Sequence, residues 1–362
     1  MMENEENNLN PTPSNEPEEN KEQRIEQETP VQEAPVHAVS NKKIADEHLV
    51  KVSNIVQGVK DEIGKVIVGQ EETVDLLLAA LFTNGHVLLE GVPGIAKTLL
   101  TKVLAKTLTA NFSRIQFTPD LMPTDVLGTT IFNLKDSEFV FKSGPIFSNI
   151  ILIDEINRAP AKTQAALFEV MEEFQVTYDG TTYPMSKPFF VMATQNPIEQ
   201  EGTYSLPEAQ LDRFAFKLHL SYPSVSEEIQ ILKRFQEDFK QTQTETVQPV
   251  LAPQDIEFFK KQVELVYIKD ELIEYIAKVI GLTREINDLF LGASPRASLA
   301  ILKTSKALAL MNGRYFVTPD DIRRVSYPVL NHRILLSPEK EMEGVEISDV
   351  INDVLQKVEV PR

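Results

Sequence analysis

The sequence predicts an α/β fold built on a parallel sheet, followed by a smaller domain that contains only helices. Three observations support this prediction. Short apolar segments alternate with amphipathic helical segments, an order that is typical of a parallel sheet. The segments NIILIDE (149–155) and FFVMATQN (189–196) are almost wholly apolar, as expected for strands covered on both faces. After Tyr222, apolar residues recur at the spacing of amphipathic helices.

The N-terminal segment, residues 1–42, is rich in Glu, Asn, Gln and Pro and poor in large apolar side chains. Such a segment cannot bury enough apolar surface to offset the entropy lost on ordering, so we predict a disordered acidic tail. A solubilising role is the simpler interpretation, and a docking arm is the alternative. Two amphipathic helices follow, the first over residues 46–67 and the second between the VGQ turn and Gly85.

Residues 43–222 are predicted to form the α/β domain. Its five strands are expected at 86–90, 114–118, 149–155, 189–196 and 214–220. Two further stretches, 128–145 and 175–188, have the pattern of β-hairpins inserted into this domain, and the second contains an Asp-Gly turn. Residues 223–335 are predicted to form the helical domain, and residues 336–362 a C-terminal segment with one short helix.

The composition excludes several classes of function. The chain has no cysteine, which rules out disulfides, thiolate zinc sites and a cysteine nucleophile, and its five histidines lack metal-ligand spacing. No apolar run approaches the roughly 18 residues of a membrane helix, and a secretory signal pattern is absent, so we expect a soluble, cytoplasmic protein. A net charge of −18 disfavours nucleic acid, although residues 292–335 carry a local excess of positive charge.

The segment HVLLEGVPGIAKTLL has most features of a phosphate-binding loop between a strand and a helix. Gly91, Lys97 and Thr98 fit the pattern G-x-x-x-x-G-K-[ST], but Ala96 replaces its second glycine. Alanine is tolerable there if its φ is negative. Backbone N–H groups would then surround the β-phosphate, Lys97 would contact the β- and γ-phosphates, and Thr98 would bind Mg²⁺. The alternative is an ordinary Gly-Pro turn.

Polar residues at the ends of later strands complete a possible ATPase site. Asp154 and Glu155 end the third strand, where they would bind Mg²⁺ and polarise the attacking water, unless they are solvated loop acids. Asn196 ends the fourth strand and would position water, or it forms an Asn-Pro turn. Arg213 precedes the fifth strand and would act as an arginine finger, or it forms a salt bridge with Asp212 or Glu208. Arg296 begins a helix of the second domain and would contact the γ-phosphate, or it is a surface arginine.

Taken in order, these motifs resemble the AAA+ ATPases, and specifically the MoxR subfamily, over about residues 43–335. The motifs are VGQ, GVPGIAKT, IILIDEINRAP, MATQNP, EGTYSLPEAQLDRF and SPRASL. The resemblance implies a core with strand order 5-1-4-3-2 and a helical lid, with ATP and Mg²⁺ as cofactors. It also implies that Ala96 is usual in this family. The nucleotide-binding loop would comprise Gly91, Val92, Pro93, Gly94, Ile95, Ala96, Lys97, Thr98 and Leu99.

The resemblance assigns the remaining roles. Asp154 and Glu155 match the Walker B acids, Asn196 the sensor 1 residue, Arg213 the arginine finger and Arg296 the sensor 2 residue. Val68 and Gln70 would lie near the adenine. The family implies a homo-oligomer, usually a hexameric ring, because a finger must come from a neighbouring subunit.

Members of this family act as chaperone-like machines that mature or activate partner proteins, and some promote metal insertion. A separate partner with a von Willebrand factor A domain is therefore expected.

Two other functions stay open at this point. One is a nucleotide-switched scaffold with little turnover, against which the presence of both Glu155 and Arg213 argues. The other is a DNA motor or a magnesium-chelatase-like subunit. Acidic charge and the lack of interleaved aromatic and basic residues argue against DNA. The chelatase interpretation finds no support in NRAPAKTQ and EGTYSLPEAQ.

Overall fold

The computed structural model describes residues 44–92, 94–196, 203–237 and 243–361. The predicted acidic tail therefore lies outside the described residues, as does Pro93 of the predicted loop. Within the described ranges, residues from 44 onward belong to one compact unit.

A parallel sheet of five strands forms the centre of the α/β part. Its strands are β1 (Val87–Glu90), β2 (Phe112–Gln116), β5 (Ile150–Asp154), β8 (Phe190–Gln195) and β9 (Phe216–His219). The sheet runs in the order β2-β5-β8-β1-β9, and every neighbouring pair is parallel. Numbered among themselves in chain order, these strands follow the order 5-1-4-3-2, which confirms the predicted fold class.

Helices cover both faces of this sheet, and alternate residues of β1 and β8 contribute to two apolar clusters. In β8, Phe190 and Met192 join one cluster, whereas Val191 and Ala193 join the other. This alternation follows from the two-residue period of side chains along a strand. It explains why β5 and β8 are apolar throughout, and it leaves only their carboxyl ends for polar side chains.

Both predicted hairpins are present in the described residues. The first consists of β3 (Gly128–Asn133) and β4 (Glu138–Ser143), and the second of β6 (Gln175–Tyr178) and β7 (Thr181–Pro184). Asp179 and Gly180 both have positive φ at the second turn, as the Asp-Gly pair predicts.

The helices of the α/β part surround the sheet and its insertions. They are α1 (Asp46–Gly64), α2 (Glu71–Leu81), α3 (Lys97–Thr107), α4 (Pro123–Leu127), α5 (Ala161–Glu173) and α6 (Glu208–Leu211), with a short 3₁₀ turn at Ile156–Arg158.

The helical part follows β9 and packs against α1 and α2 through one continuous apolar cluster. Its helices are α7 (Val225–Glu237), α8 (Gln243–Thr246), α9 (Pro253–Leu265), α10 (Asp270–Leu282), α11 (Pro295–Met311), α12 (Pro319–Leu330), α13 (Pro338–Met342) and α14 (Ile347–Lys357), and a small ladder joins β10 (Leu289–Leu291) to β11 (Leu335–Leu336).

The predicted helix starts depend on side-chain caps. The Ser294 hydroxyl accepts a hydrogen bond from the Arg296 backbone N–H, and Asp321 accepts one from the Thr318 backbone N–H. Sequence reasoning missed α9, which begins after Ala252 without a side-chain cap from that residue. None of the described helices is long and apolar enough to span a bilayer.

His86 is a buried histidine just before β1, and both of its ring nitrogens have partners. The Val191 backbone N–H donates to Nδ1 at 3.1 Å, and Nε2 lies 3.1 Å from the Met171 carbonyl oxygen. This arrangement fits a neutral ring that donates from Nε2. Burial lowers the pKa of His86 to about 4, despite the opposing effect of the hydrogen bond to Met171.

We predict that His86 makes the fold sensitive to acid. Its pKa of about 4 lies below the usual value of 6.5, so the unfolded chain binds this proton more readily than the folded chain. The free energy of unfolding should fall by about 3 kcal/mol from this residue as the pH drops from 6.5 to 4. When measured by chemical denaturation across this pH range, the free energy of unfolding should fall less for His86→Gln than for the parent protein. Parallel profiles would contradict the prediction.

Candidate nucleotide-binding site

The loop between β1 and α3 directs the N-terminus of α3 toward a cavity at the carboxyl ends of the strands. A Cβ atom on Gly91 would lie 2.3 Å from Ile95 Cδ1 and 2.9 Å from the Leu220 carbonyl oxygen, so only glycine fits there. Gly94 has a φ of +87°, which favours glycine. The two glycines thus serve different purposes: one allows close packing and the other a left-handed turn.

The expectation of a negative φ at Ala96 is wrong. Ala96 has φ 65° and ψ 23°, in the left-handed region, immediately before the first residue of α3. A glycine would adopt this conformation without strain, whereas alanine incurs roughly 1–2 kcal/mol. The loop therefore keeps the backbone shape that the usual glycine would give.

Lys97 and Thr98, the first two residues of α3, are oriented by the ends of neighbouring strands. Lys97 Nζ donates to the Gly91 carbonyl oxygen at 2.5 Å and lies 3.5 Å from the Gln195 carbonyl oxygen. The Thr98 hydroxyl lies 3.5 Å from Asp154 Oδ1. The lysine thus reaches the end of β8 and the hydroxyl the end of β5, both beside the N-terminus of α3, where a phosphate is favoured.

Asp154 is a buried carboxylate at the end of β5. Arg114 Nε donates to its Oδ2 at 2.6 Å, and the Thr194 hydroxyl lies 3.3 Å from its Oδ1. The hydroxyl of Thr98 and the carboxylate of Asp154 are oxygen donors of the kind that Mg²⁺ prefers, and they face one cavity. These residues therefore fit a magnesium ion bound together with phosphate.

Glu155, the next residue, is left-handed with φ 58°, and this turn separates its carboxylate from that of Asp154. Gln116 Nε2 donates to Glu155 Oε2 at 2.7 Å, and Arg158 Nε lies 3.1 Å from the same oxygen. The Glu155 backbone N–H donates to the Thr194 hydroxyl. Glu155 is thus held in one orientation at the cavity.

The cavity at these strand ends, called the phosphate cavity below, has a volume of about 380 Å³. It brings together most of the predicted phosphate, metal and water-positioning residues. Its lining consists of Gly94, Ala96, Lys97, Thr98, Leu99, Arg114, Gln116, Asp154, Glu155, Thr194 and Asn196.

The two residues predicted near the adenine lie on another side of the loop. Val68 lines a neighbouring cavity of about 510 Å³, whose walls come from α1, α2 and α7. Gln70 has φ 61°, and its Nε2 lies 3.4 Å from the Ile95 carbonyl oxygen. Gln70 therefore contacts the predicted phosphate loop itself.

Glu90, the last residue of β1, anchors the start of the loop between β1 and α3. Burial alone would raise the pKa of this carboxyl, but the hydrogen bond from His219 and the charge of Lys217 outweigh it and lower the pKa. His219 Nδ1 and Lys217 Nζ each lie 3.0 Å from Glu90 Oε2. These contacts join the ends of β1 and β9 directly before Gly91.

Arg213 and Arg296 are not in the phosphate cavity. They lie side by side on a second cavity of about 230 Å³. Arg213 Nη2 is 3.0 Å from Glu172 Oε2, and Arg296 Nη2 is 2.5 Å from Glu172 Oε1. The carboxylate of Glu172, at the end of α5, therefore pairs with one arginine from each part of the chain.

Asp212 connects the segment that carries Arg213 to the helical part. It accepts hydrogen bonds from the Ser294 hydroxyl at 3.0 Å and from Arg333 Nε at 2.7 Å. The buried guanidinium of Arg333 also donates to the Phe214 carbonyl oxygen at 2.6 Å. Ser294 caps the helix that contains Arg296, so both arginines belong to one connected network.

The basic stretch 292–335 does not form a free cationic face. Four of its five arginines make ion pairs within the described part of the chain: Arg296 with Glu172, Arg314 with Asp321, Arg324 with Glu72 and Asp75, and Arg333 with Asp212. Three of these four bridge the helical part to the α/β part. Most of the local positive charge is thus explained by packing between the two parts.

Sequence reasoning missed three residues of the site: Arg114, Gln116 and Glu172. Arg114 and Gln116 are two positions apart on β2, so the strand period places them on the same side, and each contacts one of the consecutive acids. The two-residue period of β2 could therefore have predicted that both side chains face the same side of the sheet. Glu172 gave no such signal, because its two arginine partners are distant in sequence.

Comparisons with known proteins identify the two parts of the chain. Residues 86–216 match the model of the ATPase family associated with various cellular activities (AAA), and residues 282–354 match the AAA lid domain. A crystal structure from Cytophaga hutchinsonii, described as that of a candidate ATPase, superposes with a TM-score of 0.80 at 44% identity and covers 88% of this chain and 98% of that one.

Two relatives match by sequence over most of their length. The uncharacterized protein YeaC of Bacillus subtilis is 48% identical over 301 residues, which are 83% of this chain and 93% of YeaC. The chaperone MoxR1 of Mycobacterium tuberculosis is 44% identical over 310 residues, which are 83% of this chain and 81% of MoxR1. The chain therefore belongs to the MoxR family of AAA+ ATPases.

Proposed function

We propose that this protein hydrolyses ATP with Mg²⁺ in an oligomeric ring and uses the cycle to remodel partner proteins. One observation carries the hydrolytic part of the proposal: Lys97, Thr98, Asp154, Glu155 and Asn196 line one cavity beside the N-terminus of α3. A cation, a hydroxyl, two carboxylates and an amide are the groups that phosphoryl transfer to water requires.

Each residue has a distinct task in this proposal. Lys97 and the N–H groups of the loop bind the β- and γ-phosphates, and Thr98 and Asp154 hold the metal. Mg²⁺, when bound, neutralises part of the phosphate charge. Glu155 accepts a hydrogen bond from the attacking water and draws its proton as the bond to phosphorus forms. Asn196 orients the same water or the γ-phosphate.

Arg296 lies beside Arg213 on the second cavity and not in the phosphate cavity, where contact with the γ-phosphate was expected. Because both line the second cavity with Glu172, we propose that both act on the nucleotide of a neighbouring subunit. The network through Asp212, Ser294 and Arg333 would keep the two guanidinium groups at a fixed separation. This arrangement supports a ring, since the arginines and the phosphate cavity are then completed by different subunits.

The remodelling part of the proposal draws on the relative named as a chaperone. A client protein, a separate partner with a von Willebrand factor A domain, metal insertion and a cytoplasmic location all stay predictions.

The ATPase rate measured against protein concentration, with sizing in parallel and with and without ATP, tests the proposal. Specific activity should rise as the protein assembles. A substantial rate from a monomer would contradict the shared site, and nucleotide binding without turnover in every assembled state would favour a switch.

Mixing two inactive variants tests the arginine finger. Arg213→Ala subunits keep an intact phosphate cavity, and Lys97→Ala subunits keep an intact finger. In an equal random mixture, about a quarter of the sites should combine an intact cavity with an intact neighbouring finger, so ATPase activity should partly return. Co-assembly is confirmed by a tag on one variant. The absence of recovery at every mixing ratio in such rings would contradict a finger acting between subunits.

A further inference from the structure

Arg114 lies on the wall of the phosphate cavity and forms an ion pair with Asp154, the proposed ligand of the metal. It projects from β2, and its Nε donates to Asp154 Oδ2 at 2.6 Å. The Arg114 side chain is 53% exposed, whereas that of Asp154 is 8% exposed. The guanidinium thus covers one carboxylate oxygen from the solvent side, and the other oxygen faces Thr98 and Thr194.

The charges around the two acids are balanced. Asp154 pairs with Arg114, and Glu155 pairs with Arg158 while accepting a hydrogen bond from Gln116. Among the described residues, no cluster of three or more Asp, Glu, His or Cys side chains could hold a metal ion. A divalent cation that arrived alone would find one carboxylate whose charge a guanidinium already offsets.

We propose that Arg114 is a positioning residue that prevents Asp154 from binding a free divalent cation, so that Mg²⁺ enters only together with the phosphates of the nucleotide. Arginine and Mg²⁺ compete for the same negative charge, and a positive charge this close weakens cation binding. Phosphate oxygens supply the negative charge and the ligands that the protein alone lacks. This inference rests on the proposed nucleotide site.

Metal binding without catalysis tests this proposal, with Mn²⁺ as the probe. Free Mn²⁺ is measured by electron paramagnetic resonance during titration of the protein, with and without ADP. Arg114→Gln should bind Mn²⁺ without nucleotide at a concentration about tenfold lower than the parent protein. Arg114→Lys retains the charge and should restore most of the parent behaviour. Arg323→Gln removes an exposed arginine charge elsewhere and is the matched control.

A second substitution tests whether the additional Mn²⁺ in Arg114→Gln is bound by Asp154. Adding Asp154→Asn to Arg114→Gln should remove the gained Mn²⁺ binding. Unchanged or weaker Mn²⁺ binding in Arg114→Gln would overturn the proposal, as would a gain that survives Asp154→Asn. Binding of a fluorescent ADP analogue is measured separately, with Mg²⁺ present. If the parent protein fails to bind that analogue, the proposed nucleotide site is wrong, whereas the titration without nucleotide still reports on Arg114.

Discussion

Replacement of Lys97 by alanine should abolish detectable ATP binding and lower the ATPase rate by roughly 100- to 1,000-fold. Lys97 is the first residue of α3, and its ammonium group reaches the end of β8 through the Gln195 carbonyl. No other lysine lines the phosphate cavity within the described residues. Its loss removes the cation that offsets the β- and γ-phosphate charges, and the backbone N–H groups of the loop cannot replace a full charge.

Isothermal titration with ATP and a coupled ATPase assay measure this effect. Lys102→Ala provides the matched control, because Lys102 lies on the same helix and is exposed to solvent. Thermal unfolding should be similar for both variants, which separates a lost contact from a lost fold. Near-normal ATP affinity in the Lys97 variant would mean that the cavity binds something other than a phosphate chain.

Replacement of Glu155 by glutamine should preserve ATP binding but slow hydrolysis by roughly 100- to 10,000-fold. The amide has nearly the same shape as the carboxylate and can still accept the hydrogen bond from Gln116 through its oxygen. It cannot accept a proton from the attacking water at neutral pH. ATP should therefore stay bound without being cleaved.

Retention of radiolabelled ATP after rapid gel filtration, followed by analysis of the bound nucleotide, reveals this trapped state. Glu169→Gln is the control, since Glu169 is an exposed acid on α5. Bound ADP in place of ATP, or a ring that hydrolyses at the parent rate, would show that another group activates the water.

Much of the fold was predictable because it depends on local patterns. Short apolar runs such as those of β5 and β8 favour buried strands, and their acidic or amide ends mark the sheet edge where a site forms. Helix α11 followed from Ser294 and Pro295, which together define its start. Helix α9 begins after Ala252, which offers no side-chain cap, but Pro253 at its first position and Asp255, which accepts a hydrogen bond from the Ala252 N–H, were usable signals.

The remaining features depend on contacts between distant residues. The pairing of Glu172 with Arg213 and Arg296 is set by how the helical part packs on the α/β part, which no spacing in the sequence encodes. The backbone conformation of Ala96 likewise follows from the closure of the loop between β1 and α3 rather than from its own preference. The roles of Arg213 and Arg296 stay predictions, and the mixing experiment addresses that of Arg213.

Three residues near the nucleotide loop, Gln70, Ala96 and Glu155, adopt left-handed backbone conformations although none is glycine. Each conformation is unfavourable by about 1–2 kcal/mol, so the folded chain forgoes stability where it would meet its substrate. Ala96→Gly should relieve part of that strain, offset by the greater entropy of glycine in the unfolded chain. Selection for heat resistance would therefore favour substitutions that relieve these backbone conformations. Such substitutions would make the site less rigid and less well pre-shaped for its ligand.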